Sequence, residues 1–319
     1  MTRKIVAAFI AALSILLPLS SRSANYMRDI TIAADGSGDF RTFGEALEAI
    51  RAFMDYKVTV HIKNGVYNEK VIIPAWLENV DFIGESADGV IIRQNDYAGL
   101  NNMGTFRTYT VRVDGKNLNF RNMTIENTAG RVGQAVALHT EGDNLSFENV
   151  KLKGNQDTLY TGGRGTFLNF KDCYIEGTTD FIFGPSTAWF ENCDLHSKMN
   201  SYVTAASTPA DTEYGYIFKN CRLTADPGVD KVYLGRPWRP YANTYFIDCE
   251  MGPHITAAGW HNWNNADNER TARYGESGSR GEGARGERVA WAKKLSKKEA
   301  DAITPEKVFC RKSTWKPAE

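Results

Sequence analysis

Phe147-Glu148-Asn149-Val150-Lys151-Leu152 and, 23 residues on, Phe170-Lys171-Asp172-Cys173-Tyr174-Ile175 are two copies of one short unit: Phe, any residue, Asn or Asp, a small apolar residue, any residue, an aliphatic. The unit recurs from Phe120 (FRNMTI), Phe190 (FENCDL), Phe218 (FKNCRL) and Phe246 (FIDCEM), so the six copies are 27, 23, 20, 28 and 28 residues apart. A short unit cannot bury its own apolar face and must stack on its neighbours, so a period of this length decides the architecture. The segments carry no 3.6-residue apolar stripe and are rich in β-branched and aromatic residues, Asn and Gly. Each repeat therefore reads as one coil of an all-β parallel solenoid. The Asn or Asp suits a tight bend in the left-handed backbone region, where stacked side chains bond along the ladder. The next position, Met123, Val150, Cys173, Cys193, Cys221 and Cys249, should form an inward column.

A solenoid exposes sheet edges at both ends and needs covers. Thr42 to Met54 reads as an amphipathic helix with a Thr42-x-x-Glu45 capping box and Phe43, Leu47, Ile50 and Met54 on one face. Ser296-x-x-Glu299 starts a second short capping helix, preceded by a Gly-rich, charged loop from Asn264 to Gly286. No linker divides the chain, so residues 24–319 are expected to form one domain.

The whole sequence has 319 residues, with 38 Lys and Arg against 38 Asp and Glu, a balance that rules out a basic nucleic-acid surface as the default reading. Arg3 and Lys4, an apolar stretch from Ile5 to Leu19 and the small residues Ser21, Ser23 and Ala24 have the layout of a signal peptide over residues 1–23. The apolar run is short for a membrane span. The expectation is export to the periplasm or beyond, without stable membrane insertion. Loss of Arg3, Lys4 and Arg22 would leave three more acids than bases.

Five Cys without a C-x-x-C pair exclude a zinc knuckle or a thioredoxin motif. Cys173 and Cys193 share a repeat position on consecutive coils, about 4.8 Å apart, which leaves open either a disulfide or a ladder of buried thiols. Cys221 and Cys249 pose the same alternative, and Cys310 has no partner in the repeat. The five His show no metal-ligand spacing, and no G-x-S-x-G elbow exists.

Chemistry enters with the carboxylates. Asp157 lies ten residues after Phe147 and Asp180 ten after Phe170, so both fall at one phase of successive coils. Two ionised carboxylates one rung apart, about 4.8 Å, repel by ~3.5 kcal/mol at an effective dielectric of ~20, so one should hold a proton. Backward counting from the Phe positions puts Gln134 one rung below Asp157 and Arg236 two rungs beyond Asp180. The alternative is a structural turn ladder. The aromatics in Gln156-Asp157-Thr158-Leu159-Tyr160 and Asp180-Phe181-Ile182-Phe183-Gly184 favour a sugar-binding cleft, because rings stack on pyranose faces.

These blocks, with Gly65-Val66-Tyr67-Asn68-Glu69, Gln134-Ala135-Val136-Ala137-Leu138 and Leu234-Gly235-Arg236-Pro237-Trp238, resemble the pectin methylesterases over about residues 35–308. The resemblance implies a right-handed parallel β-helix acting on methylated homogalacturonan, without metal or cofactor, as a monomer. It makes Asp180 the nucleophile, Asp157 the general acid and then base, Gln134 and Gln156 the oxyanion donors, and Arg236 the partner of Asp180. It also places Tyr160, Phe181 and Trp238 beside the sugar. Gly65, Tyr67 and Glu69 are either structural or in contact with substrate. Thr178-Thr179 stand where the family commonly has an aliphatic residue, a departure that bears on fine substrate preference. The rivals are a pectin-active lyase or glycoside hydrolase of the same fold and a carbohydrate-binding solenoid.

Overall fold

A computed structural model describes residues 26–309. The Phe repeat is its spine. Phe120, Phe147, Phe170, Phe190, Phe218 and Phe246 pair in register along one parallel sheet. Their rings stack face to face, with centroids 4.9, 4.8, 4.7, 4.5 and 4.4 Å apart. Phe82 adds a seventh ring below Phe120 at 5.0 Å, although its segment lacks the Asn of the repeat. Asn122, Asn149, Asp172, Asn192, Asn220 and Asp248 all have φ between 51° and 56°. This is the bend expected at the third position, and Asn149 Nδ2 donates to Asn122 Oδ1 at 2.9 Å along the ladder. The column from Met123 to Cys249 is buried throughout.

A complete coil has three strands. One coil runs through Phe167–Lys171, Tyr174–Gly177 and Ile182–Gly184, and the next through Thr187–Glu191, Asp194–Ser197 and Tyr202–Ala206. All pairings are parallel, and the molecule is a parallel β-helix. The third strands make a separate seven-stranded sheet: Val71–Ile73, Val111–Val113, Leu138–Thr140, Leu159–Thr161, Ile182–Gly184, Tyr202–Ala206 and Tyr233–Gly235. The candidate site lies on its outer face.

The first helix, α1 (Phe43–Ala49), has the Thr42–Glu45 capping box but is shorter than the sequence suggests. Ile50 is already extended and ends it, while Ile50 and Met54 still bury against the core. Glu69 closes its start from another coil, accepting the Phe43 N–H at 3.0 Å and the Gly44 N–H at 3.4 Å. Tyr67 is buried and donates to the Lys63 carbonyl at 2.8 Å. The Gly65–Glu69 block is therefore structural.

The segment 264–286 is more ordered than its Gly-rich composition implies. It holds α2 (Ala266–Thr271) and a strand, Arg273–Ser277, that pairs with Asn243–Ile247. Tyr274 on that strand packs on Trp260 with centroids 4.5 Å apart, so buried aromatics draw the chain into a further coil. The helix α3 (Lys297–Asp301) has the Ser296–Glu299 capping box. Cys173, Cys193, Cys221 and Cys249 are free thiols, each donating to backbone carbonyls, so the ladder of thiols is the form present. Burial pushes the thiols of Cys173, Cys193 and Cys221 well up. Residues 1–23 and Cys310 lie outside the described residues. Among the described residues no helix is long and apolar enough to cross a membrane.

Candidate active site

Asp157 and Asp180 both have left-handed backbone, φ 66° and 49°, which Asp tolerates better than most residues. The Asp157 N–H donates to the Thr179 carbonyl at 3.1 Å, and the Asp180 N–H to the Tyr202 carbonyl at 2.8 Å. Two residues on, Leu159 pairs with Ile182 in the ladder, so the 23-residue offset read from Phe147 and Phe170 also holds at the acids. The two carboxylates therefore occupy one phase of adjacent coils, and both residues are buried.

Arg236 approaches from two strands further on. Its own N–H donates to the Thr204 carbonyl at 3.0 Å, and the strand Tyr202–Ala206 lies between it and the Asp180 coil. Gly235 makes this close approach possible, since a Cβ there would overlap Thr204 Oγ1. The guanidinium grips both oxygens of Asp180, Nε to Oδ1 at 2.9 Å and Nη2 to Oδ2 at 2.6 Å. It also lies against two aromatic rings, 3.9 Å from the Tyr202 centroid and 3.7 Å from that of Trp263.

The two acids titrate apart. Burial, reinforced by the charge of Asp180, pushes Asp157 up to about 8. Burial raises Asp180 as well, but there the hydrogen bond and charge of Arg236 pull the other way. Asp157 is thus the member pushed towards the protonated form, while the Arg236 fork opposes the same rise at Asp180.

Gln134 and Gln156 face each other across a parallel bridge, both half-buried. This corrects the expected register by one residue, because Gln134 aligns with Gln156 and not with Asp157. The cause is a bulge. Four steps lead from Gln134 to Leu138 but only three from Gln156 to its partner Leu159. The Ala137 and Leu138 N–H groups consequently both donate to the Thr158 carbonyl, at 2.8 and 3.2 Å. The result is a pair of side-chain amides in the column beside the acids.

The aromatic assignments need one correction. Tyr160 and Trp238 are half-buried members of an outer cluster with Tyr109, Phe183 and Trp263. Phe181, expected beside the sugar, is fully buried in the interior with Ile182. Phe181 and Ile182 both pack in the interior, whereas Phe183, also buried at 4% exposure, belongs to the outer cluster beneath Tyr160 and Trp238. Phe183 lies 4.9 Å from Tyr160 and 5.8 Å from Trp238 between ring centroids. Phe106, exposed, packs on Tyr160 at 4.9 Å. Phe183 was read from sequence only as one of the aromatics beside the acids, and its in-register pairing with Tyr160 is what places it; Phe106, Tyr202 and Trp263 were not singled out. Among the described residues no group of three or more His, Cys, Asp or Glu is disposed to hold a metal ion.

Comparison with known proteins agrees with this geometry. The family model described as Pectinesterase matches residues 29–312. Pectinesterase 31 of Arabidopsis thaliana is 35% identical over 285 residues, covering 86% of this chain and 89% of that one. The pectin methylesterase from carrot superposes with a TM-score of 0.84 at 32% identity, over 88% of this chain and 92% of that one. A pectin methylesterase solved in complex with a hexasaccharide gives 0.79 at 28% identity, over 93% and 100%. The chain belongs to the pectinesterase family.

Proposed function

We propose that this protein is a carboxylic ester hydrolase, a pectin methylesterase that converts C6 methyl esters of galacturonate units in homogalacturonan to carboxylate and methanol. The observation that carries the reading is the unequal treatment of two carboxylates in phase: Arg236 forks Asp180, while Asp157 is pushed up to about 8. A site that needs a nucleophile and a proton donor at one pH separates two like groups in this way.

Asp180, kept ionised by Arg236, attacks the ester carbonyl carbon. The developing oxyanion takes hydrogen bonds from the amides of Gln134 and Gln156, which are neutral and so add no charge that would stabilise the ground-state carboxylate. As the C–O bond breaks, Asp157 gives its proton to departing methanol, leaving an anhydride between Asp180 and the galacturonate. Asp157, now ionised, takes a proton from water as that water attacks the anhydride. Water adds at C6, the bond from C6 to the Asp180 oxygen breaks, and the galacturonic acid product gives its proton to solvent, so Asp180 is again a carboxylate and Asp157 again protonated. Tyr160 and Trp238 supply the apolar faces on which sugar rings stack, and the buried Phe183 supports both rings from beneath.

A glycoside hydrolase sets its two carboxyls on either side of a scissile bond and leaves both free to act. Here both acids sit on one face, one of them held in a guanidinium fork, which favours acyl transfer. The signal-like pattern of residues 1–23 supports export to where pectin is found. Methanol release from highly methylated pectin in EDTA tests the reading. Unsaturated ends or new reducing ends without methanol would replace it with a lyase or a glycoside hydrolase.

A further inference from the structure

We infer that Tyr202 and Trp263 form a two-sided aromatic clamp that positions Arg236, and through it the carboxylate of Asp180, making both aromatics positioning residues for the reaction. The inference rests on the proposed role of Asp180.

The fork alone leaves Arg236 under-determined. The side chain spans two coils to reach Asp180, and a guanidinium so extended can swing about several torsions. Rings at 3.9 and 3.7 Å from its central carbon are at stacking distance. A planar cation has two faces to offer, one to each ring, and its edge then remains free for the carboxylate. The chemistry of the clamp matters too. A second carboxylate would hold the arginine equally well but would compete with Asp180 for its charge. Aromatic faces hold a cation through the ring quadrupole and leave it unneutralised.

Both rings are themselves fixed. The Tyr202 carbonyl accepts the Asp180 N–H at 2.8 Å, tying the clamp to the backbone of the residue it serves. The Tyr202 ring packs on Tyr233 and His261, with centroids 5.4 Å away in each case. Trp263 has φ 61°, a left-handed conformation uncommon for a bulky side chain and the kind of outlier that collects at functional sites. It is held there by its N–H donating to His261 Nδ1 at 3.0 Å and by the Asn264 N–H donating to Asn262 Oδ1 at 2.9 Å. His261 thus supports both halves of the clamp, one through its ring face and one through its nitrogen.

The test compares Tyr202→Leu, Tyr202→Met, Tyr202→Phe and Asp180→Asn on methylated pectin, each first checked for a native melting transition. Removing the ring in the Leu or Met variant should lower kcat about tenfold while KM stays within about twofold, because the loss falls on the charge and aim of the nucleophile. The acidic limb of the kcat–pH profile should move to higher pH, since a loosened Arg236 stabilises ionised Asp180 less. Tyr202→Phe keeps the ring and should restore both kcat and the profile. An unchanged kcat and profile in the folded Leu or Met variant would overturn the clamp, as would a Phe variant as impaired as Leu. The Asp180→Asn control separates the two levels: if it is inactive while Tyr202→Leu is normal, only the clamp fails, and if it stays active, the reading of the site fails first.

Discussion

Arg236 closes both carboxylate oxygens of Asp180 in a planar fork, at 2.9 and 2.6 Å, although 56 residues and one intervening turn of the helix separate them in the chain. Bidentate geometry of this kind depends on the shape of the guanidinium as much as on its charge. Arg236→Lys should therefore lower kcat by about 100-fold, the loss of one charge-assisted hydrogen bond and of the planar fit. Asp180→Asn, which removes the proposed nucleophile, should lower it by about four orders of magnitude or more. Steady-state methanol release from both variants checks the order.

Asp157 gives the pH dependence its sign. In the proposed reaction it must be protonated to release methanol, so acylation should fall as pH rises through about 8, and single-turnover measurements across that range report it. Stability follows the same group. With a folded value raised above the ordinary value of an aspartate, the native state binds more protons than the unfolded chain between about 4 and 8, so the contribution of this residue to stability declines as pH rises through that window. Asp157→Asn, which mimics the protonated acid, should melt on the order of 5 °C higher than wild type at pH 8, a gap that closes towards pH 4. Equal melting temperatures at both pH values would contradict the raised value.

Glu69 accepts backbone N–H groups at the start of α1 from 26 residues away and lies in the terminal cap, not at the site. Glu69→Ala should destabilise the fold by about 1–2 kcal/mol, the usual loss for an N-terminal cap partner, with kcat unchanged. Denaturant unfolding alongside methanol release separates the two effects. A fall in kcat without a change in stability would restore a role in substrate contact.

The four thiols of the inward column are buried and hydrogen-bonded to backbone carbonyls. Cys173, Cys193, Cys221 and Cys249 should resist alkylation in the folded protein and all react once it is unfolded without reductant. Peptide mapping by mass spectrometry reads each one. A disulfide-linked peptide joining Cys173 to Cys193 would show that the ladder oxidises.

Much of the site was legible because a solenoid turns sequence spacing into spatial alignment. In-register Phe rings mean that equal offsets from Phe147 and Phe170 place Asp157 and Asp180 in phase, and the same arithmetic carries Arg236 two strands beyond. Each coil repeats the same local physics, a left-handed Asn or Asp followed by an inward residue, so the pattern is written in every copy. The capping boxes at Thr42 and Ser296 were legible for a related reason, since donor and acceptor lie three residues apart.

What only the tertiary structure decided lies where one coil departs from the next. The bulge between Gln134 and Leu138 moves Gln134 opposite Gln156, because an inserted residue changes register without changing the composition around it. Phe181 and Ile182 pack consecutively in the interior while Phe183 is buried in the outer aromatic cluster, which strand alternation alone does not foretell. Trp263 arrives over Arg236 from a loop outside the repeat, where the Trp263 and Asn264 N–H groups donate to His261 and Asn262, and no repeat spacing brings that loop to the guanidinium. Periodic contacts between stacked coils were determined by the sequence, because each is a local preference repeated. The aromatic enclosure of Arg236 was decided by packing between segments distant in sequence, whose meeting depends on the whole chain being folded.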